Sequence, residues 1–481
     1  MHALDRPAYS SGLSRPRRLL GLLAIGLASS ISALAAGQSD TIDNAERIAT
    51  IKRIGTLINE RYVFPEVAAE CAEQLSTMLS SGAFDNVRDG DDFAAQLTTA
   101  LQDISQDKHM LVRTRYIPPA HTNTDAEARE HPIQTRARRK MLQRKQNFGF
   151  ENVTRLEGNI GYLDIRSFAG HPEAETVAAA AMNFLAHTDA LIFDMRNNGG
   201  GHPHMVRVLC SYLFDKPTHL NSLYWREGDQ MQEFWTIDVP GQKRPDVPVF
   251  VLTSSTTFSG AEEFCYNLRT QKRATLVGET TRGGANPGTL FPIDAQLEIF
   301  IPTGRAINPI TGTNWEGTGV EPHVSVEADM ALDAALKLAG SAAEAYRQKR
   351  KEGLDAFDPW HIDARRLDDE GKSNDAARTL SESLRDAHEI GLVNEGDINQ
   401  YGYEFLGEER HALAIAAFSL NVDLYHESAN AYDSLGEAYR SDGQIDKAIA
   451  NYERAVELRP DGPNAENARA ILDEIRESRE K

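Results

Sequence analysis

The chain has 481 residues and a formal net charge of -20, with 41% hydrophobic and 25% charged residues. That length allows several domains with sizeable cores, and a composition near the soluble average excludes a fibrous or wholly disordered protein. An acidic chain offers no electrostatic footprint for phosphate backbones or anionic membrane surfaces, so nucleic acid is not an expected partner.

Residues 1–35 read differently from the rest. Arg15, Arg17 and Arg18 precede the apolar run Leu19 to Ala28, and Ala33-Leu34-Ala35 supplies the small residues a signal peptidase reads. The run is too short for a comfortable membrane span. The expectation is a signal peptide cleaved near Ala35, a secreted or periplasmic protein, and no integral membrane span afterwards. Three cysteines, Cys71, Cys210 and Cys265, are too few for a disulfide scaffold. They read as structural thiols, with room for one pair.

From residue 40 to 115 the pattern is helical: Ile48, Ile51, Ile54, Leu57 and Ile58 recur at three- and four-residue steps, and Leu75, Met78 and Leu79 continue it. A polar, basic stretch over 116–146 contains R-A-R-R-K, Arg136 to Lys140, and reads as a solvated linker or linker helix. Over 147–340 short β-rich runs, Ile160–Ile165, Ala190–Met195, Val249–Leu252 and Ala274–Gly278, alternate with helical patterns at Glu173–His187 and His204–Phe214. That alternation predicts a mainly parallel α/β sheet with functional loops at its strand ends.

Residues 355–481 are helical and repetitive. Gly402 and Gly436, Phe405 and Tyr439, Ala414 and Ala448, Ile415 and Ile449, Phe418 and Tyr452, and Leu424 and Leu458 share one offset, that of a tetratricopeptide repeat. Pro460 closes the second unit, and a degenerate unit around Gly371 to Leu384 precedes the first.

Four segments of the α/β region and its approach carry chemistry. T-S-S-T-T-F-S-G-A-E-E-F, Thr253 to Phe264, leaves a strand and enters a helix with Ser259 at the turn, one way to present a nucleophile. D-M-R-N-N-G-G-G, Asp194 to Gly201, ends a strand with consecutive glycines whose backbone N–H groups can meet an oxyanion; no Gly-Lys-Ser/Thr follows, so it is not a phosphate loop. Q-D-K-H-M brings His109, whose near-neutral ordinary pKa suits a general base. N-W-E-G-T-G-V-E-P-H holds Glu316 among glycines. His202 and His204 lack a recognised metal-ligand spacing and read as loop residues able to line a substrate site; neither a metal nor another cofactor is expected.

These segments, with G-N-I-G-Y-L-D-I (158–165) and L-V-G-E-T-T-R-G-G-A (276–285), together resemble the C-terminal processing peptidase family, which also holds the tricorn core protease and the modules of interphotoreceptor retinoid-binding protein. The resemblance implies an α/β crotonase-like catalytic domain with an N-terminal helical domain, here followed by a C-terminal all-α tetratricopeptide repeat domain. It also implies hydrolysis of peptide bonds by a serine. The tail-specific branch takes its lysine base from G-E-x-T-x-G-K-G, and Gly284 stands in that place here. Lys272, nearer in sequence, reads as a charged helix end. In the tricorn-like branch the corresponding residues are Ser259 as nucleophile, His109 as base, Glu316 as the carboxylate and Asp107 as a looser polar partner. Gly200 and Gly260 are the oxyanion donors by the same resemblance. The stretch between His109 and Asn147 is too short for the PDZ domain of tail-specific members. The implied substrate is therefore a peptide or unfolded protein of unstated length.

Two other readings stand beside this one: a catalytically inactive peptide- or lipid-binding module of the same fold, and a scaffold whose repeats dock a protein partner. If His109 is the base, an ordinary imidazole predicts that activity falls below about pH 6 to 7.

Overall fold

The computed structural model describes residues 42–87, 89–115, 132–357 and 360–480. The expected signal peptide, and residues 116–131 of the expected linker, lie outside them. Among the described residues no helix is long and apolar enough to cross a membrane.

Three helices open the chain: α1 (Asn44–Arg61), α2 (Pro65–Ser80) and α3 (Gly90–Ser105). A capping box sets the start of α1, Asp43 accepting from the Glu46 amide and Glu46 from the Asp43 amide. Pro65, with no N–H to satisfy, opens α2. The apolar steps read from the sequence face inward at Ile51, Ile54, Leu57, Ile58 and Leu75, while Ile48 is left exposed. This core does not close on itself: it also takes in Ile293, Leu297, Ile299 and Ile301 from far along the chain. The link is strand β1 (Leu111–Thr114), which follows α3 and is antiparallel to a strand of the later region, Leu111 facing Phe300.

The next elements in order are α4 (Pro132–Lys145), β2 (Phe150–Leu156), β3 (Ile160–Ile165), α5 (Pro172–Phe184), β4 (Ala190–Asp194), α6 (Pro203–Ser211), β5 (His219–Trp225), β6 (Gln230–Trp235), β7 (Val249–Thr253), α7 (Gly260–Thr270), β8 (Thr275–Gly278), β9 (Gly288–Pro292), β10 (Leu297–Pro302), β11 (Gly304–Ile307) and β12 (Val324–Ser325). Six strands form the main sheet in the order β12-β8-β7-β4-β3-β2, parallel except for β2. The four β-rich runs of the sequence are its central strands. β3, β4 and β7 are buried along their whole length, as continuous apolar runs covered on both faces must be. Two antiparallel sheets, β1-β10-β9 and β11-β5-β6, flank it; β10 alternates, burying Leu297, Ile299 and Ile301, whereas β6 and β9 carry no clear two-residue alternation.

One face of the main sheet packs on α5, α6 and α7 through the largest core. The other is covered by α8 (Ala331–Phe357), whose Ala331, Ala335, Ala339 and Ala343 form a fully buried stripe against Ile160, Ile192, Phe250 and Val277. The three cysteines are free and buried. After α8 in chain order come α9 (Trp360–Asp369), α10 (Ser373–Glu389), α11 (Glu395–Gly407), α12 (His411–Leu424), α13 (Ala429–Ser441), α14 (Ile445–Leu458) and α15 (Pro463–Glu480). The repeat has a visible steric origin: a Cβ on Gly402 would lie 2.4 Å from the Phe418 ring, and one on Gly436 would lie 3.0 Å from that of Tyr452. Glycine at one helix crossing and an aromatic ring at its partner recur together because each requires the other.

Candidate active site

The loops leaving the C-terminal ends of β4, β7 and β8 converge, as expected for an open parallel sheet. After β7 the hydroxyl-rich turn is fastened to the β4 loop. Thr257 Oγ1 donates to Met195 O at 2.8 Å, Thr256 Oγ1 to Arg196 O at 2.8 Å, and Phe258 N to Asn198 O at 3.1 Å. The turn ends at Ser259, the N-cap of α7, with φ 56° and ψ -121°. A non-glycine residue held there is strained, and such strain persists only where the surroundings over-determine it. The main restraint is Glu262, fully buried. Its carboxylate accepts from the Ser259 amide at 2.8 Å, Thr281 Oγ1 at 2.5 Å, and the amides of Gly283 at 2.6 Å and Gly284 at 2.9 Å.

The glycine loop lies against this turn. Asp194 grips Arg196, which donates to Ala328 O, and buried Asn198 ties the loop to β3 through Ile165 O at 3.0 Å. Gly200 has φ 96°, and a Cβ there would lie 2.7 Å from the Gly260 nitrogen, so no other residue fits. Its amide, however, donates to Asn198 Oδ1 at 2.8 Å and is already engaged. Gly201 is placed differently. It bridges to Phe168 through its neighbours, Phe168 N donating to Gly200 O and His202 N to Phe168 O, so its own N–H faces the other side, toward Gly260.

His109 arrives from the N-terminal helices. Gln106 ends α3 in the left-handed conformation and turns the chain, Asp107 Oδ1 accepts from the His109 amide at 3.0 Å, and the β1–β10 pairing carries the segment to the sheet. The imidazole lies with its centroid 4.5 Å from that of Phe258, the residue beside Ser259, and 6.0 Å from Phe300. Asp107, His109 and Glu316 each bring a ligand-type atom within 4.8 Å of the others. Asp107 Oδ2 accepts from Tyr62 Oη at 3.1 Å and Asn286 Nδ2 at 2.9 Å. Glu316 Oε2 accepts from the amides of Ala285 at 2.5 Å and Asn286 at 3.0 Å. Two buried atoms keep no hydrogen-bond partner, Glu316 Oε1 and His109 Nδ1. The trio has the composition of a metal cluster, yet most of its oxygens are committed to protein donors, which suits an acid–base site better. Four consecutive amides, Gly283 to Asn286, are thus shared between Glu262 and Glu316.

Burial raises Asp107 and Glu316 above the usual carboxylate range, and Glu316 is raised further by the charge of Asp107. Burial, aided by the Arg282 guanidinium, lowers His109 to about 4. His109 thus lies below the ordinary imidazole value assumed from the sequence, because residue type alone does not reveal what packs around the ring.

Ser259 and His109 line one cleft of about 810 Å³ together with Gly201, His202, His204 and Arg207, and with an apolar wall that includes Trp225, Phe234 and Phe300. No hydrogen bond joins the two side chains, as is common before a substrate draws such a pair together. Asp107 and Glu316 stand behind the imidazole. Sequence reasoning did not single out Glu262 or Arg207, and within the glycine cluster it named Gly200 rather than Gly201. A serine followed three residues later by glutamate is a capping-box spacing that could have flagged Glu262; nothing local flags Arg207.

Residues 159–326 match peptidase family S41, residues 43–148 match the N-terminal domain of peptidase S41 in eukaryotic IRBP, and residues 436–472 match a TPR repeat. The chain is 25% identical over 177 residues to a carboxy-terminal-processing protease of Bartonella bacilliformis, a match covering 36% of this chain and 40% of that one. It is 22% identical over 180 residues to the carboxy-terminal processing protease CtpB of Bacillus subtilis, covering 37% and 36%. Less than half the length of these relatives is therefore spanned. Among solved structures, the photosystem II D1 C-terminal processing protease is 14% identical with a TM-score of 0.38, over 62% of this chain and 98% of that one. The chain carries a peptidase family S41 domain over residues 159–326, behind an N-terminal domain of the kind that accompanies this family and ahead of TPR repeats.

Proposed function

We propose that this protein hydrolyses peptide bonds through Ser259. The observation that carries the reading is the meeting, on one cleft, of a serine held in strained backbone at a strand-to-helix turn and a half-buried imidazole delivered by a separate part of the chain. His109 takes the Ser259 proton as the hydroxyl attacks the scissile carbonyl, then returns it to the leaving amine. Glu316, with Asp107 beside it, orients the imidazole. The oxyanion is received by the Gly260 amide, which follows the nucleophile, and by that of Gly201. Gly200, whose amide is engaged by Asn198, shapes the hole by allowing close approach.

In this reading the catalytic unit is crotonase-like and spans about 147–340, the helical unit 40–115 supplies the base, and the repeats of 355–481 dock a protein partner. Residues 1–35 direct export, making the protein secreted or periplasmic. The substrate is a peptide or unfolded protein. The test is digestion of a peptide library followed by mass spectrometry, with fluorophosphonate labelling in parallel. Ser259→Ala is expected to lose both cleavage and labelling, by 10³-fold or more in rate, while keeping its thermal transition. Undiminished cleavage by that variant would falsify the assignment.

A further inference from the structure

The cleft beside Ser259 is electrostatically unlike the rest of the protein. The chain carries a net charge of -20, yet no carboxylate lines this cleft among the described residues. Its one permanently charged side chain is a cation, Arg207, on the inner face of α6. Arg207 Nη2 donates to His204 Nδ1 at 2.9 Å, and His204 Nε2 in turn meets Glu175 Oε1 at 2.9 Å. Accepting at Nδ1 requires the imidazole to carry its proton on Nε2, so Glu175 is served by His204 and leaves Arg207 without a carboxylate of its own. Arg207 Nε is buried and has no hydrogen-bond partner. An arginine held by a neutral histidine, its planar fork only partly used, is a receptor for a carboxylate.

A second observation extends the first. The R-A-R-R-K stretch of α4 borders a groove of about 580 Å³ that shares Gln143, Gly170 and His202 with the cleft. Lys140 is paired with Glu173 at 2.8 Å, but Arg136 and Arg139 are exposed and have no carboxylate partner among the described residues. The basic segment, which the sequence alone presents as a solvated linker, forms one lip of the substrate site.

We propose that this cleft selects peptides that carry a carboxylate, which Arg207 receives, with Arg136 and Arg139 attracting the same acidic chain along the adjoining groove. The proposal rests on the peptidase reading for its substrate class. The carboxylate has two possible sources, the α-carboxylate of a peptide end or an Asp or Glu side chain, and the chemistry that recognises them is shared.

The test measures binding without turnover, on the full chain carrying Ser259→Ala, so that it remains readable even if the wild-type protein cleaves nothing. Fluorescent peptides of one sequence are prepared with Glu or Gln at each position in turn, and with a free or an amidated C-terminus. Fluorescence anisotropy is expected to show the favoured acidic form binding at least tenfold more tightly than its neutral counterpart, with the preference shrinking as salt is raised. Loss on amidation identifies the peptide end as the source; loss on Glu-to-Gln exchange identifies a side chain. Arg207→Gln should abolish the preference, and the exposed pair Arg136→Gln/Arg139→Gln should reduce it about threefold. Equal binding of all forms by the Arg207-containing protein overturns the proposal, whatever the variants do. So does a full preference in Arg207→Gln.

Discussion

A Cβ built on Gly284 would lie 2.8 Å from Cε1 of His109. It would also lie 2.3 Å from Cε2 of Phe258. The position at which the tail-specific branch of the resembled family carries its lysine base therefore has no room for any side chain here while the histidine is in place. Histidine and lysine are alternatives in space as well as in chemistry.

Gly284→Ala is expected to destabilise the protein by about 1–3 kcal/mol, the range for forcing atoms into a packed site. It should also lower kcat/KM at least tenfold by displacing His109. Gly284→Lys should do the same rather than install a new base. Thermal denaturation and a peptide-cleavage assay check both, and a fully active Gly284→Lys protein would show that the imidazole is dispensable.

Glu262 holds the Ser259 amide and the Gly283 and Gly284 amides at once, and so fixes the backbone position of Ser259. Glu262→Gln keeps the shape but places an NH2 where an acceptor oxygen is needed. The expected result is a fall in kcat of about 10- to 10³-fold with KM nearly unchanged, the signature of a lost transition-state geometry. A rise in KM alone would assign Glu262 to substrate binding instead.

The pH profile separates an enclosed from a solvated imidazole. With His109 lowered to about 4, the neutral base persists well below pH 6.5. The rate should change less than about twofold between pH 8 and 6, and the limb due to His109 should lie near pH 4 to 5. The same lowered value means that the stability tied to burying His109 in its neutral form is complete above about pH 6.5 and is lost as pH falls toward 4. A limb centred at pH 6 to 7 would mean that the ring is open to water.

Glu263 lies one residue farther along α7 and is pushed by burial to about 8. Folding favours its protonated form, so its contribution to stability is complete below about pH 4.5 and is lost as pH rises through 8. Between pH 7 and 9 the Tm should fall for the wild type and be flatter for Glu263→Gln, the two curves separating by roughly 2–4 °C. Parallel curves would mean that Glu263 does not titrate in this range.

Much of the architecture could be read along the chain. Ile54 and Leu57 mark a helix, the run Val249 to Leu252 a buried strand, and Gly402 with Gly436 a repeat, because each pattern reflects a contact its own element must make. Strands β5, β6 and β9 to β11 escaped. β6, Q-M-Q-E-F-W, buries only Phe234, and β9 carries Gly288 and Pro292, so neither presents a regular face.

Sequence alone determined which residues could do chemistry: a serine at a strand-to-helix turn, a glycine loop, a histidine, a glutamate, and the missing lysine at Gly284. These depend on residue type and short spacing, which are local. Tertiary structure alone decided that β1 pairs with β10 and so carries His109 to the cleft of Ser259, that Gly200 spends its amide on Asn198, and that Arg207 lines that cleft without a carboxylate partner among the described residues. Those are properties of what packs around a residue. A chain names its side chains in order, but the burial and partners that set their pKa, their strain and their free hydrogen-bonding atoms exist only once distant segments have met.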